Sequence, residues 1–213
     1  MNIQQKHITQ DLLLIFAATL ISGCANTQTS RLYILNSPTN ITSISKEVKP
    51  ISGVHIAVER LRIPKYLERP TIITTAKATE LVYSEFQRWA SPLENNLSEV
   101  LILNLGQLLP EYVVMSSRVM IPTPPGYQLH VQIQRMTGEL GKDANLMARW
   151  TIFSNADGIK HYLRDGTSTH ETTLEGTGYD VYVSALNKLL LELSRNIAKD
   201  LSTIKQNPTT DTK

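Results

Sequence analysis

Cysteine occurs once in 213 residues, at position 24. That excludes an intramolecular disulfide and any multi-cysteine zinc site. Aromatic residues make up 6% of the chain, too few for a base-stacking surface. With 21 Lys and Arg against 19 Asp and Glu, there is none of the basic excess a nucleic-acid partner calls for. No apolar run reaches the roughly 20 residues that a membrane-crossing helix needs. The Gly-x-Ser-x-Gly, P-loop and His-Glu-x-x-His patterns are absent. Gly176-Thr177-Gly178 lacks a third glycine and does not follow an apolar strand, so it reads as a loop and helix start. Ser43-x-x-Lys46 and Ser202-x-x-Lys205 lack their companion motifs. His130 alternates away from the apolar side of its segment. His161 and His170 lie on one extended run, roughly 30 Å apart if it is straight. No catalytic residue and no metal site is expected, and the protein is not expected to be an enzyme. What remains, 41% apolar and 19% charged, is a foldable chain of one domain.

The N-terminus is an address. Residues 1–11 are polar and carry Lys6, and Leu12 to Ile21 form an apolar run of about ten residues, the length of a signal-peptide core. Ile21-Ser22-Gly23-Cys24 follows and resembles a bacterial lipobox, in which the cysteine is lipidated and becomes the first residue. A buried helix in a cytosolic protein would not account for two small residues placed directly before the only cysteine. The expected organisation is a signal peptide at 1–23, a lipidated terminus and tether at 24–30, a single domain at 31–204, and a disordered polar tail at 205–213. Ala25 stands where an Asp would favour inner-membrane retention in enteric bacteria, so the implied location is the periplasmic face of the outer membrane.

Within the domain, Arg31 to Leu35 suits a strand, and the polar stretch with Pro38 and Pro50 reads as loop. Val54, Ile56 and Val58 alternate with His55, Ala57 and Glu59, the pattern of a half-buried strand. Pro64 and Pro70 interrupt pairing, and extended runs resume at 71–75 and 81–83. Ser91-Pro92-Leu93-Glu94 predicts a helix capped by Ser91, with Pro92 in its first turn and Glu94 closing a capping box. Leu93, Leu97, Val100, Leu101, Leu105 and Leu108 lie on its buried side, and Pro110 ends it. Val113 to Met115 is a short strand. Three extended runs follow, around Leu129–Ile133, Leu146–Ile152 and Lys160–Thr173, with turn residues at 138–143 and 155–158, an antiparallel meander. A second amphipathic helix places Val181, Ala185, Leu189, Leu193, Ile197, Leu201 and Ile204 on or near one face. The fold class is α/β (α+β): a mainly antiparallel sheet with two amphipathic helices packed on it.

Two blocks resemble a known family. The first comprises Leu61 to Thr74 with its Pro-x-Tyr-Leu-x-Arg-Pro core, then Arg88-Trp89-Ala90-Ser91-Pro92-Leu93 and the helix ending at Pro110. The second runs from Leu129 through Met147-Ala148-Arg149-Trp150 to Leu193-Ser194-Arg195-Asn196-Ile197-Ala198. Together they resemble the PqiC family, the ABC-type transport auxiliary lipoproteins, with Ser91 where an acidic residue is expected. The resemblance implies a non-catalytic outer-membrane lipoprotein that docks a periplasmic MCE-domain protein and its inner-membrane partners, moves lipid between membranes and supports membrane integrity. It implies no cofactor beyond the covalent lipid, palmitate included, on Cys24. An envelope lipoprotein that is structural or activates a partner, unrelated to lipid transport, is the other reading.

For Pro64, Tyr66, Leu67, Arg69 and Pro70 two roles stand open. Prolines would rigidify a crossing loop while Tyr66 and Leu67 plug the core and Arg69 pairs with a carboxylate. Otherwise the same loop is a rigid surface that meets a partner, since Tyr and Arg favour interface hot spots. Trp89 is either cover for the capped helix or a contact residue. A homo-oligomer is expected, because several copies around an axis fix a tubular partner against a flat membrane better than one tethered monomer does.

Overall fold

The computed structural model describes residues 29–43, 54–77, 79–120, 125–156 and 158–206. The signal peptide, Cys24, most of the tether, Pro50, Lys46, Asp157 and the tail beyond residue 206 lie outside them.

Two mixed sheets and two helices share one core. Strands β1 (Arg31–Tyr33), β3 (Thr71–Lys77) and β4 (Glu80–Trp89) form a three-stranded sheet in the order β1-β4-β3. Strands β2 (His55–Val58), β5 (Val113–Ser116), β6 (Tyr127–Glu139), β7 (Asp143–Ala156) and β8 (Ile159–Thr173) form the larger sheet, ordered β5-β2-β6-β7-β8. Helix α1 spans Leu93–Leu108 and α2 spans Tyr179–Gln206. The fold class is as the sequence implied, and antiparallel pairing dominates through the long β6-β7-β8 meander. The β1/β4, β2/β5 and β2/β6 pairs are parallel.

The meander follows its binary pattern. Leu129, Val131, Ile133, Leu146, Ala148, Trp150 and Ile152 are buried against the helices. They meet Leu97, Leu101 and Leu105 of α1 and Leu186, Leu189, Leu193 and Ile197 of α2 in one cluster. Full burial of each Leu or Ile is worth about 1.5–3 kcal/mol, so packing rather than helix propensity holds both helices. Gly141 sits at φ 77 in the β6–β7 turn, a backbone conformation that suits glycine. At Gly166 the reason is space: a Cβ there would lie 2.3 Å from Cζ2 of Trp150.

Two local expectations are corrected. Helix α1 begins at Leu93 with Pro92 in the cap position and no side-chain cap hydrogen bond, so Ser91 does not cap it. The Pro92 carbonyl instead accepts from the N–H groups of Asn95 and Asn96, and Glu94 is drawn away to Arg60, both oxygens at 2.5–2.6 Å from its guanidinium. Strand β2 is not half-buried: Ile56, Ala57 and Val58 are all buried. It lies between β5 and β6, so both edges of its ladder are paired, and its side chains are covered on both faces from Ile56 to Val58.

Buried polar groups join α1, α2 and the segment after β1. The Asn104 side-chain amide donates to Ser194 Oγ (3.1 Å) and accepts from Ser37 Oγ (2.6 Å). Asn96 brackets Leu35, accepting from its N–H at 2.7 Å and donating to its carbonyl at 3.0 Å. Each of these buried groups is satisfied, as burial requires, and together they fix where the chain emerges at β1. None of the helices among the described residues is long and apolar enough to cross a membrane.

Candidate functional site

The residues singled out in the sequence converge beside the small sheet. Pro64 leads into a 3-10 turn, Lys65–Glu68, closed by the Leu67 N–H donating to the Pro64 carbonyl at 2.9 Å. The turn puts Leu67 in the core and packs the partly buried Tyr66 ring against it. Burial pushes the Tyr66 hydroxyl pKa up, although a hydrogen bond with the backbone of Met136 works the other way. The chain then leaves through exposed Arg69 and Pro70. The Pro70 carbonyl accepts from the N–H of Trp89 at 2.8 Å, tying the turn to the end of β4.

Trp89 is 7% exposed and belongs to the core cluster, the arrangement of its covering role. Tyr66 and Leu67 also plug the core as the first of the two readings has it. Arg69 differs from that reading: its guanidinium lies 4.8 Å from the centre of the Tyr83 ring rather than on a carboxylate. An exposed contact of this kind is worth about 0.5–1 kcal/mol. Register explains it, since β3 pairs Thr71 with Arg88 and then jumps to Ile73 with Tyr83. The irregularity delivers Tyr83 to the side where Arg69 emerges.

On the other flank of the turn lies an open groove of about 670 Å³, walled by Glu59, Arg60, Arg62, Lys65, Glu68 and His130 among others. Its lining carries charges of both signs, and the Arg60–Glu94 pair closes its rim at the start of α1. Beyond it, on the outer face of the large sheet, Lys160 donates to His130 Nε2 at 2.7 Å and sits 4.1 Å from the centre of the Phe153 ring. Phe153 meets His130 and Tyr162 edge to face. Burial, and then the Lys160 charge, lower the His130 pKa below its ordinary value.

Nothing in this arrangement couples a nucleophile to a base. Among the described residues, no group of three His, Cys, Asp or Glu side chains could hold a metal ion. His161 is exposed, while His170 lies 3.1 Å from the Asn196 amide on α2. What the region offers is surface: a rigid turn, a groove of mixed charge and apolar side chains left in the open. Leu32, Leu81, Val82 and Tyr83 of the small sheet, and Ile34 just after β1, are exposed. Sequence reasoning missed these, because alternation shows that one side of a strand differs from the other but not which side finds a partner. It also missed the Arg60–Glu94 pair, whose members are 34 residues apart with no local signal.

Comparison with known proteins gives a consistent picture. Residues 33–198 match the family model described as the ABC-type transport auxiliary lipoprotein component. The chain is similar to the intermembrane transport lipoprotein PqiC of Escherichia coli (strain K12), 24% identical over 197 residues that span 89% of this chain and 96% of that one. The PqiC of Shigella flexneri matches to the same extent. Among solved structures, a Xanthomonas campestris protein shares the fold at TM-score 0.68 and 15% identity, covering 85% of this chain and all of that one. An uncharacterized protein does so at TM-score 0.65 and 22% identity, covering 82% and 99%.

Proposed function

Because this chain belongs to the family of ABC-type transport auxiliary lipoprotein components, we propose that it is a periplasm-facing lipoprotein held in the outer membrane by acyl chains on Cys24. It serves there as the non-catalytic accessory subunit of an MCE-type intermembrane lipid transport system. The observation that carries this reading is the family match, which runs from Tyr33 at the end of β1 to Ala198 in α2 and so covers nearly all of the folded domain. The lipobox-like Ile21-Ser22-Gly23-Cys24 supports the anchor. The lack of catalytic geometry among the described residues, beside a rigid turn and an open groove, supports a docking role. Several copies assemble about an axis. The surface formed by Pro64, Arg69 and Pro70, backed by Tyr66, Leu67 and Trp89, contacts either the next copy or the MCE-domain partner.

The test is a Cys24→Ala variant in cells lacking the native gene, followed by fractionation and by affinity recovery with identification of the MCE-domain protein. The native protein is expected in the outer-membrane fraction with an MCE-domain protein bound, and Cys24→Ala is expected unprocessed or misplaced. Normal processing and outer-membrane fractionation of the variant would overturn the anchor. Failure of the native protein to recover an MCE-domain protein would overturn the transport role.

A further inference from the structure

Strand β1 and the two residues that follow it have two unlike sides. Tyr33 packs against the core and Leu35 is buried in it, while Leu32 and Ile34 are 66% and 48% exposed. Leu32 stands level with Arg88 in the parallel pairing, so the two share a face. Arg31 is exposed just before them. The side turned away from the protein is therefore apolar at its centre with the Arg88 side chain beside it, and Arg31 lies at the start of the strand on the alternate face. From Ala25 to Ser43 the chain contains no Asp or Glu, so nothing in this stretch repels an anionic surface.

Chain length says what this side meets. Seven peptide units separate Cys24 from Arg31, a contour of at most about 25 Å whatever its conformation. A domain of this size is about 40 Å across. The anchor therefore cannot reach a membrane from the opposite side of the domain, and the end bearing β1 must turn toward the leaflet that holds the acyl chains. The Asn96 and Asn104 contacts pin residues 35–37 to the helices, so the body of the protein turns with β1.

We propose that the outward side of β1 and of the residues just after it, Leu32 and Ile34 with Arg88 beside them and Arg31 at the start of the strand, rests on the anchoring leaflet. Apolar tips enter the interfacial region and guanidinium groups meet lipid phosphates, the chemistry by which peripheral segments lie on anionic bilayers. This rests on the lipid anchor at Cys24 and adds to it an orientation. The groove beside Lys65 and Glu68 and the exposed Leu81–Tyr83 tip are then held at set positions relative to the membrane, where a partner arriving from the periplasm can find them.

The experiment uses the full lipidated chain in vesicles of phosphatidylethanolamine and phosphatidylglycerol. With Cys24 occupied as a thioether, Leu32→Cys or Ile34→Cys introduces the only free thiol, to be labelled with an environment-sensitive fluorophore. Thr169→Cys, exposed on β8, is the reference. Fluorophores at positions 32 and 34 are expected to shift to the blue and to be quenched by spin-labelled lipid several-fold more than the one at 169. Equal quenching at all three positions overturns the proposal. So does a shift that follows protein density while ignoring spin-labelled lipid, which would mean that a second copy covers β1. Mass measurement of the Cys24 peptide in the same samples separates the two readings. Acylated protein without differential quenching overturns the orientation alone, and protein lacking acyl groups overturns the anchor and the orientation together.

Discussion

The two sheets obey the same pairing rules and are finished differently. In the five-stranded sheet the inward residues of β6 and β7 share one buried cluster with both helices. Its outer β8 strand is tied in by Asp200 of α2, whose carboxylate accepts from Trp150 Nε1 and Arg164 Nη1, each at 3.0 Å. In the three-stranded sheet β4 pairs with β3 from Glu80 to Tyr83 and again at Arg88, and with β1 from Gln87 to Trp89. Apolar side chains at both ends stay exposed. The large sheet buries most of its apolar surface in the core, leaving Ile159, Tyr162 and Leu163 of β8 exposed, and the small one leaves apolar side chains open at both of its ends. The buried core and the exposed apolar side chains of the small sheet thus occupy separate parts of one domain, and substitutions should separate them.

The strongest test sets one leucine from each region against the other. Leu193 is fully buried between helix and sheet, and Leu193→Ala should cost about 3 kcal/mol, the transfer loss plus a cavity. Leu32→Ala, at an exposed position, should change stability by no more than about 0.5 kcal/mol. Urea unfolding of both variants measures the contrast, and similar losses for the two would abolish the distinction between the sheets. Next in size is Gly166→Ala. The added Cβ falls on an indole ring that is 4% exposed and held by Asp200, so it cannot swing aside. About 2 kcal/mol of overpacking strain is expected, together with a change in near-ultraviolet circular dichroism from Trp150.

The smallest effect is on pH. His130 is held below its ordinary value of 6.5 by burial and by Lys160. As pH falls below that value the unfolded chain takes up this proton before the folded one does, so the contribution of neutral His130 to stability is lost with falling pH. The urea midpoint should drop between about pH 7.5 and about pH 5.5, and less so in His130→Gln or Lys160→Gln. Identical slopes in all three proteins would show that the outer-face cluster contributes nothing.

Much of the large sheet was legible in the sequence. Leu129, Val131 and Ile133 against Leu146, Ala148 and Trp150 repeat every second residue, and α2 repeats with helical spacing from Ala185 to Leu201. Burial on one side imposes those periods directly. The end of α1 at Pro110 was legible for the same local reason. Its start was not, because Glu94 answers to Arg60, on a different element. The double burial of β2 was hidden because His55 to Val58 pairs with residues more than fifty positions away in β5 and β6. For the candidate site, the Pro64–Pro70 turn and Trp89 stood out as separate blocks. Their hydrogen bond, and the seat of Arg69 on Tyr83, depend on the broken register of β3 against β4.

The sequence by itself determined what local chemistry can determine. It carries a single cysteine behind a short apolar run, two helices of amphipathic period, a meander of alternating strands, and no catalytic constellation. Those features depend on the spacing of neighbours along the chain, and side-chain periodicity reports them whatever the rest of the molecule does. Only the tertiary structure decided which alternating side of β1 is buried, that β2 is enclosed on both sides, and that Arg60 meets Glu94. It alone showed that the proline turn and Trp89 share a hydrogen bond beside an open groove. The physical reason is that strand pairing and burial join residues distant in sequence through contacts made only once the core has assembled, and no local spacing encodes them.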